Sequence, residues 1–359
     1  MSDYRNYFVE EHILASEALW RINSLPEKTI FVIDSREGNV IGYADRDSFP
    51  PFSPGIASAC IGDICRRDVK TVPQTDSYRH GRSIMADFPS LRLVPVVDEK
   101  GRPLDVLRRW QLFFKDEYFR AVRTIEPIEL PYPQYAACIW RAAQIAQSVG
   151  APKFQVIEFG VGKGDGLVAC EQICGEVANI FHLEIEVVGF DNGTGLPSPE
   201  DWRDAPQCWT KGLFRMPEQE LRSRLAGARL VLGAFAETIP AFEPAAPIGV
   251  MLVDCDFYSS AIHVLKMLEG DAHRFLPIVS MYFDDIGGAL EFQGEALAIT
   301  EFNARNRLRK ISPERESFGE YNFGGRRYGF SKLKACLLFD HPDFSDKKFA
   351  TKIMHDFWR

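Results

Sequence analysis

The chain has 359 residues, of which 46% are hydrophobic and 26% charged, so it is long enough for two or three globular domains. The formal net charge of −8 at pH 7 argues against a nucleic-acid partner, which would need a clustered basic surface. No apolar run approaches the ~20 residues that span a bilayer, and the polar start of the chain is unlike a signal peptide. We therefore expect a cytoplasmic protein with no membrane partner.

The eight cysteines are scattered along the chain. The closest pair, Cys170 and Cys174, has helical i,i+4 spacing, and no second pair completes a zinc site. We therefore expect reduced, partly buried thiols. The basic run RNRLRK (305–310) is interpreted as the solvated face of a helix.

The first 120 residues contain an internal repeat. IFVIDSREGNVIGYAD (30–45) and VPVVDEKGRPLDVLR (94–108) each have a β-rich run, an aspartate, a charged turn with glycine and a second short β run. The aspartates are Asp34 and Asp98. Such a repeat indicates two copies of one supersecondary unit that bury a shared face.

This repeat resembles a tandem pair of cystathionine-β-synthase (CBS) domains. IGDICRRDVKTV (61–72) is similar to the segment that opens the second CBS unit, and RLVPVVDEKGRPLDVL (92–107) is similar to the unit's central hairpin. The resemblance implies a small α+β domain over residues 1–120 that binds an adenine nucleotide or S-adenosylmethionine in a cleft and forms a homodimer.

In that family, a Thr-x-x-Asp at the end of the hairpin's second strand holds ribose and phosphate. The matching stretch here is GYADRD, in which Asp47 fits the acid but Ala44 replaces the threonine. The second copy reads VLRRW and lacks both residues. Two interpretations stay open: a nucleotide-binding pair, and a module for structure or dimerisation.

A proline-containing segment without clear period follows at residues 116–134 and predicts the joint to a second domain, 121–359. In that domain, short and almost continuous apolar runs end in polar or acidic residues. The runs are FQVIEFG, EVVGFD, ARLVLGAF, IGVMLVDCD and PIVSMYFDD, and the helical stretches between or beside them are 132–150, 167–181, 219–226, 259–270 and 294–310. This alternation predicts an α/β fold with a parallel sheet covered on both faces, and ligands bind at the carboxyl ends of such strands.

A glycine-rich loop follows the first of these runs, in VIEFGVGKGDGL (156–167). Neither the dinucleotide fingerprint G-x-G-x-x-G nor the P-loop fits it in any register. Glu158 and Asp165 flank the loop, and carboxylates there would repel a pyrophosphate. A cofactor with a cationic end and no phosphate fits the loop better.

The spacing E-x-G-x-G-x-G resembles the first motif of class I S-adenosylmethionine-dependent methyltransferases. The resemblance implies a Rossmann-like, seven-stranded sheet with helices on both faces. It also implies that Gly160, Gly162 and Gly164 let the backbone approach the methionine part of the cofactor, while Glu158 orders the loop and the amino group.

Two further segments match the order of that family. Asp191 ends the next apolar run, where an acid accepts the ribose hydroxyls of the cofactor. LGAFAET (232–238) falls where the family contacts adenine, which implies contacts from Ala236 and Glu237.

Four aspartates end the following two strands, in LVDCDFYSS (252–260) and MYFDDIGG (281–288). Because the strands are adjacent, Asp254 or Asp256 should lie near Asp284 and Asp285, and converging carboxylates repel each other unless something neutralises them. Mg²⁺ with oxygen ligands is the usual solution. Helix capping by one or two of the aspartates is the alternative.

Asp-x-Asp-x-Tyr-x-Ser followed by Asp-Asp, together with VGFDNGTGLP (187–197), resembles the macrocin O-methyltransferase group of sugar methyltransferases. The resemblance implies that Asp254, Asp284 and Asp285 bind Mg²⁺ beside the acceptor hydroxyls. Asp254 and Asp256 would be the catalytic residues, with Asp256 as a base or a residue supporting the metal site.

The sequence departs from that group at Ser260, where the group tends to have threonine, and at an insertion-like segment, 201–219. Other candidate residues have two interpretations each. His263 is interpreted as a packed helix residue in preference to a base. The aromatic residues Trp202, Trp209, Phe257 and Tyr258 are either acceptor platforms or core, and Arg326 and Arg327 either meet an anionic acceptor or belong to a surface hairpin.

These patterns predict a Mg²⁺-dependent O-methyltransferase that acts on a sugar, a sugar nucleotide or a sugar-bearing small molecule. Mg²⁺ would lower the pKa of the acceptor hydroxyl, and a nearby carboxylate would take its proton. One alternative is a methyltransferase without a metal. Another is a non-catalytic sensor of an adenosine cofactor, in which the CBS-like pair has a signalling role.

Overall fold

The computed structural model describes residues 4–25, 27–49, 59–88, 90–114, 130–286, 291–314, 321–323, 326–328 and 332–345. The chain divides into two compact units, Met1–Glu117 and Tyr118–Arg359. The assignment of 1–120 and 121–359 as functional domains stays a prediction, and most of the predicted joint lies outside the described residues. None of the described helices has the length and hydropathy needed to cross a bilayer.

The N-terminal unit contains two copies of one strand–helix–strand–strand arrangement. The first consists of β1 (Phe8–Glu10), α1 (Ala15–Ser24), β2 (Thr29–Ile33) and β3 (Val40–Asp45). The second consists of α2 (Ile61–Ile64), β4 (Val72–Pro73), α3 (Ser77–Asp87), β5 (Leu93–Val97), β6 (Pro103–Arg108) and α4 (Arg109–Leu112). In each copy the first strand pairs in parallel with the second, and the second pairs antiparallel with the third. The predicted repeat is therefore present in the fold.

The repeated aspartates close the turns of the two hairpins. Asp34 Oδ1 accepts hydrogen bonds from the backbone N–H groups two and three residues later, at 2.8 and 2.7 Å. Asp98 Oδ1 accepts from the N–H groups of Lys100 and Arg102, at 2.9 and 2.8 Å. These backbone hydrogen bonds lower the pKa of both carboxyls. The aspartate recurs in the sequence because each hairpin turn is held by a carboxylate that accepts backbone hydrogen bonds.

A buried ion pair joins the two copies. Arg108 at the end of β6 donates from Nε to Glu27 Oε1 at 2.9 Å, and the hydroxyl of Tyr7 donates to Glu27 Oε2 at 2.5 Å. The side chains of Arg108 and Glu27 are only 11% and 10% exposed. The pair therefore links residues that are 81 positions apart in the chain.

The C-terminal unit is built on one large, mostly parallel sheet, which confirms the predicted α/β class. Its strands are β7 (Lys153–Phe159), β8 (Glu184–Asp191), β9 (Arg229–Leu232), β10 (Ile248–Val253), β11 (Phe275–Phe283), β12 (Arg309–Pro313) and β15 (Leu333–Leu338). Its helices are α5 (Pro133–Val149), α6 (Asp165–Phe181), α7 (Glu218–Arg224), α8 (Phe235–Thr238), α9 (Tyr258–Met267) and α10 (Gly294–Arg305). The strand order is β12-β15-β11-β10-β7-β8-β9, in which only β15 is antiparallel to its neighbours. A separate hairpin pairs β13 (Tyr321–Phe323) with β14 (Arg326–Tyr328).

Helices cover both faces of this sheet. Alternate residues of a strand point to opposite faces. Ile157 and Phe159 of β7 belong to a core cluster that includes residues of α9 and α10. Glu158, which lies between them, accepts a hydrogen bond from Tyr135 of α5. Strands that are apolar along their whole length predict helices on both faces of the sheet, as observed.

The central strands end level with one another. Val253 of β10 is in register with Phe159 of β7 on one side and with Phe283 of β11 on the other. Hydrogen bonds continue past these residues, from Asp254 N to Phe159 O at 2.9 Å and from Asp284 N to Val253 O at 3.0 Å. The acids that follow the strands are therefore gathered at one edge of the sheet.

The predicted helix 294–310 is too long. The helix ends at Arg305, and residues Arg309–Pro313 form β12. Arg309 is buried, pairs with Asp340 at 2.8 Å and also donates to the backbone carbonyl of Leu268. The interpretation of 305–310 as a solvated helix face is therefore wrong, because pairing with β15 and burial of one arginine outweigh local helix propensity.

Candidate functional site

A cavity of about 610 Å³ opens at the carboxyl edge of the sheet. Six predicted acids at or just after the ends of β7, β8, β10 and β11 contribute to its lining. They are Glu158, Asp191, Asp254, Asp256, Asp284 and Asp285. The predicted functional segments at the ends of these four strands thus meet in one space, as expected for strands that end at a common edge.

Glu158 is buried at the bottom of this site. Its Oε1 accepts a hydrogen bond from the hydroxyl of Tyr135 at 2.8 Å. Its Oε2 is also buried and has no hydrogen-bond partner among the described residues. Burial is the main cause that raises the pKa of Glu158 to about 8, and the charges of Asp254 and Asp191 add to it. Sequence reasoning missed Tyr135, since nothing in its local sequence marks it as a partner of Glu158.

The three predicted loop glycines all have positive φ, but the space beside their Cα atoms differs. A Cβ on Gly160 would lie 1.7 Å from the carbonyl oxygen of Asp254, and a Cβ on Gly164 would lie 2.2 Å from the side chain of Leu221. A Cβ on Gly162 would have no neighbour closer than 3.8 Å. Packing therefore requires Gly160 and Gly164, while a Cβ on Gly162 would make only an ordinary contact with Phe214, so its positive φ is what favours glycine there.

Asp191 has a role that the sequence did not predict. Its Oδ2 accepts from the backbone N–H groups of Val161 and Gly162, both at 2.9 Å. Its Oδ1 accepts from the N–H of Gly193 at 2.6 Å. Asp191 therefore holds the glycine loop in shape, and its predicted contact with ribose stays a prediction.

Asp165, which supported the argument against a phosphate ligand, is not a free charge. Arg224 of α7 donates from Nη2 to Asp165 Oδ1 at 2.5 Å and also reaches the carbonyl oxygen of Lys163. The repulsion that we attributed to Asp165 is therefore largely neutralised. Asp191 remains as a carboxylate against the loop, with its Oδ2 on the N–H groups of Val161 and Gly162.

The predicted adenine segment lies only partly at the cavity. Ala236 lines it together with Ala234 and Phe235. Glu237 is exposed and is not among the lining residues. Of the two predicted adenine contacts, Ala236 therefore borders the cavity and Glu237 does not.

Three carboxylates converge as a potential metal site. Asp254, Asp284 and Asp285 each offer an oxygen, and these oxygens lie within 4.8 Å of one another. Asp284 Oδ1 accepts from Lys332 Nζ at 3.1 Å and from the hydroxyl of Tyr282. The sequence predicted the three acids, but it did not identify Lys332, which is 48 residues away from Asp284 in the chain.

The positive charge near this cluster does not offset the burial and mutual repulsion of its carboxyl groups. Burial raises the pKa of Asp254 to about 8, that of Asp256 to about 8 and that of Asp285 to about 6, and neighbouring carboxylates add to each shift. Lys332 acts in the opposite direction on Asp254 and Asp285. Asp256 also has an unusual backbone, with φ of 60°. Such a set of perturbed carboxyls in a cavity is typical of a functional site.

Glu295 on α10 lies behind this cluster and was not predicted. It is fully buried. Its Oε1 accepts from the backbone N–H of Cys255 at 3.0 Å, and its Oε2 accepts from that of Asp285 at 3.2 Å. Burial raises the pKa of Glu295 above its ordinary value. In the sequence it resembles any acid in the first turn of a helix.

The cavity is also lined by Leu196, Pro197, Glu200, Trp209 and Phe214, of which the last two belong to the insertion-like segment 201–219. We call residues 196–217 the covering segment. Its residue Asp204 is fully buried and accepts from the backbone N–H of Ser259 at 2.8 Å and from its hydroxyl at 2.9 Å. Asp204 also accepts from the N–H of Glu200 at 2.8 Å. The covering segment is therefore anchored to the start of α9, directly after the Asp254–Asp256 loop.

Of the four aromatic candidates, only Trp209 lines the cavity, and its Nε1 is buried without a partner among the described residues. Trp202 is 60% exposed, and Phe257 is fully buried in the core. The hydroxyl of Tyr258 donates to Glu301 at 2.7 Å. The acceptor interpretation therefore applies to Trp209 alone.

His263 lines the cavity as well. It is half-buried, and burial lowers the pKa of its imidazole. The interpretation of His263 as a packed helix residue in preference to a base stays a prediction, since the side chain is part-buried on α9 and also borders the cavity. Arg326 and Arg327 lie in β14, and their side chains are outside the described residues.

The two CBS-like nucleotide positions in the N-terminal unit differ from the family pattern in structure too. Ala44 is fully buried in the core of the first copy. Asp45, two positions before Asp47, caps the short helix Arg46–Ser48 by accepting from the backbone N–H of Ser48 at 2.9 Å. In the second copy, the end of β6 is taken by Arg108 and its buried ion pair.

The CBS domain family matches residues 61–115. The N-terminal region therefore contains a CBS domain, as predicted. A comparison with curated proteins found no match.

Several solved structures resemble parts of the chain. CalS11, a calicheamicin methyltransferase, is 21% identical, with 52% of this chain and 83% of that chain covered and a TM-score of 0.37. OpuCA of Staphylococcus aureus is 21% identical, with 30% and 90% covered and a TM-score of 0.26. The cytosolic domain of the Mg²⁺ channel MgtE in complex with ATP is 20% identical, with 31% of this chain covered and a TM-score of 0.25; the match spans 45% of that chain.

Proposed function

We propose that the chain is an S-adenosylmethionine-dependent O-methyltransferase that uses Mg²⁺ and methylates a hydroxyl of a sugar or a sugar-bearing small molecule. One observation carries the proposal. A single cavity joins a buried carboxylate oxygen without a partner, a glycine loop and three convergent carboxylates. A cationic cofactor and a divalent metal together account for this combination.

The donor fits the glycine-loop end of the cavity. The unpartnered Oε2 of Glu158 would accept a hydrogen bond from the ammonium of the methionine part, and buried polar atoms rarely stay without a partner. Gly160, Gly162 and Gly164 all line the cavity, so a ligand there meets loop backbone without intervening side chains. The small side chains Ala234 and Ala236 leave space for a planar base.

The metal fits the carboxylate cluster of the same cavity. Asp254, Asp284 and Asp285 offer the hard oxygen ligands that Mg²⁺ prefers, and a divalent cation would offset the repulsion among them. Lys332 contacts Asp284, so with all three acids ionised the acids and the lysine carry a formal charge of −2, which a Mg²⁺ ion would balance.

Bound S-adenosylmethionine would supply a methyl group on a sulfonium, and bound Mg²⁺ would lower the pKa of the acceptor hydroxyl. The glycine loop and the covering segment would hold the two reactants in line. The carboxylate of Asp256, beside the metal ligands, would take the hydroxyl proton. Methyl transfer to the deprotonated hydroxyl would give a methyl ether and S-adenosylhomocysteine.

The charges around the cavity favour an uncharged acceptor over a sugar nucleotide. Eight of the lining residues are Asp or Glu, while Lys163 is the one lining lysine and no arginine lines the cavity described here. Such a surface repels a diphosphate. Trp209 would stack against the sugar ring or the group attached to it.

For the N-terminal unit we propose a role in assembly or regulation. The chain would form a homodimer through its CBS pair, and an adenine nucleotide would be the ligand of that pair. Assembly is favoured over nucleotide binding. The positions that bind ribose and phosphate in the family are occupied here by the buried Ala44 and by the Glu27–Arg108 pair.

Isothermal titration with S-adenosylmethionine, with and without Mg²⁺, tests the proposal. Binding that Mg²⁺ does not affect would favour a methyltransferase without a metal. If the donor binds but no S-adenosylhomocysteine forms with any glycoside of an acceptor panel, a cofactor sensor would be favoured. No binding of the donor would overturn the methyltransferase proposal.

A further inference from the structure

Glu295 contacts the two strand ends that carry the carboxylate cluster. Its two oxygens accept from the backbone N–H groups of Cys255 and Asp285, at 3.0 and 3.2 Å. The first N–H belongs to the peptide bond that follows Asp254, and the second belongs to Asp285 itself. One side chain therefore spans β10 and β11 at the place where both strands end.

The start of α10 is held close to the same loop. A Cβ on Gly294 would lie 3.0 Å from the carbonyl oxygen of Asp256. Glu295 follows at once and is fully buried. Because Glu295 has no solvent exposure, a carboxylate that left the two N–H groups would have no water to replace them as partners.

We propose that Glu295 is a positioning residue that sets the distance between Asp254 and Asp285, and that divalent metal binding depends on it. The inference rests on the proposed Mg²⁺ site. Glu295 itself is not a ligand: both of its oxygens are used by backbone N–H groups, and it is not among the residues that line the cavity.

A carboxylate is required for this role because both of its partners are donors. In Glu295→Gln the side chain keeps one acceptor oxygen and presents an NH₂ group to the other N–H, so two donors face each other. One strand end then loses its contact with α10, while the volume of the side chain stays the same.

The test is Mn²⁺ binding to the full chain, followed by electron paramagnetic resonance, in the wild type and in Glu295→Gln. We expect the Mn²⁺ dissociation constant to rise about tenfold or more in Glu295→Gln. The matched control is Glu301→Gln on the same helix, where the amide oxygen can still accept from Tyr258. That control should bind Mn²⁺ as the wild type does, and both variants should bind S-adenosylmethionine without metal as the wild type does.

The outcomes separate the two proposals. Absence of Mn²⁺ binding to the wild type overturns the metal site and this inference with it. Binding to the wild type that is unchanged in Glu295→Gln overturns only the role of Glu295.

A second measurement needs no variant. Amide hydrogen exchange of the wild type, labelled with ¹⁵N-Cys and ¹⁵N-Asp, should show slow exchange for Cys255 and Asp285 in the absence of metal. Exchange at the rate of an exposed peptide would overturn the inference, including in the case where Glu295→Gln does not fold.

Discussion

The hydroxyl of Tyr135 donates to Glu158 Oε1 at 2.8 Å, while Oε2 of the same carboxylate is buried with no partner among the described residues. One oxygen therefore fixes the orientation of the group, and the other stays available to a ligand. This asymmetry distinguishes a binding carboxylate from a structural one, in which both oxygens are satisfied, as in Glu295.

Replacement of Glu158 by glutamine should weaken donor binding. The amide has nearly the same volume but no charge for the ammonium of S-adenosylmethionine, so we expect the dissociation constant to rise about tenfold or more. Isothermal titration measures it. Tyr135→Phe should have a smaller effect, since the carboxylate stays, and unchanged affinity in Glu158→Gln would mean that the loop binds something else.

The same variant should change how stability depends on pH. Burial raises the pKa of Glu158 to about 8 from an ordinary 4.5. A folded-state pKa above the unfolded value contributes stability that is complete below the unfolded pKa and is lost as the pH rises through the folded pKa. Glu158→Gln cannot ionise, so its melting temperature relative to wild type should increase between about pH 5 and pH 8, by about 2–4 °C for each kcal/mol removed.

Calorimetry of wild type and Glu158→Gln at both pH values checks this expectation. A matched control is Glu171→Gln on α6, whose carboxylate already accepts backbone hydrogen bonds near the surface. A difference between Glu158→Gln and wild type that does not vary with pH would show that Glu158 is ionised in the folded protein throughout this range.

Removal of the metal ligands should separate donor binding from methyl transfer. In Asp284→Asn with Asp285→Asn, we expect any effect of Mg²⁺ to disappear and transfer to fall about 100-fold or more, while donor affinity without metal stays within about twofold. Chelation of divalent ions in the wild type should reduce transfer similarly. Asp165→Asn, which also lines the cavity but pairs with Arg224, should keep its response to Mg²⁺.

Loosening the covering segment should affect the acceptor more than the donor. Asp204→Asn presents an NH₂ group to the donors of Ser259 and Glu200 that Asp204 now accepts from. We expect the KM for the acceptor to rise about tenfold, with donor affinity nearly unchanged. Asp201→Asn is the control, since Asp201 is on the surface of the same segment and pairs only with Arg203 among the described contacts. Equal effects on donor and acceptor would contradict this role.

The pair between the two CBS-like copies should matter for folding. Arg108→Met leaves Glu27 buried without its cation and should lower the free energy of unfolding by about 3–5 kcal/mol. The double variant Glu27→Leu with Arg108→Met should recover most of the loss. Urea denaturation of the full chain measures both, and Arg102→Met, which breaks an exposed pair with Asp98, should have little effect.

Much of the fold could be predicted because its causes are local. Apolar strands, helical spacing and the aspartates of the two hairpin turns predicted both the repeat and the α/β sheet. The helix predicted to end at residue 310 ends at Arg305 instead, because contacts distant in sequence determine the conformation beyond it. The sequence around Arg309 favours a helix, but strand pairing with β15 and the ion pair with Asp340 outweigh that preference.

By itself, the sequence determined which acids and glycines would share one edge of the sheet, since strand ends and βα turns follow from spacing along the chain. Only the tertiary structure decided what each of them does there. It bound Asp191 to the loop backbone, paired Asp165 with Arg224, left Glu237 outside the cavity and brought Glu295 behind the aspartates. Burial and hydrogen-bond partners depend on contacts between residues far apart in sequence, and those contacts set the charge and the free oxygens of the site.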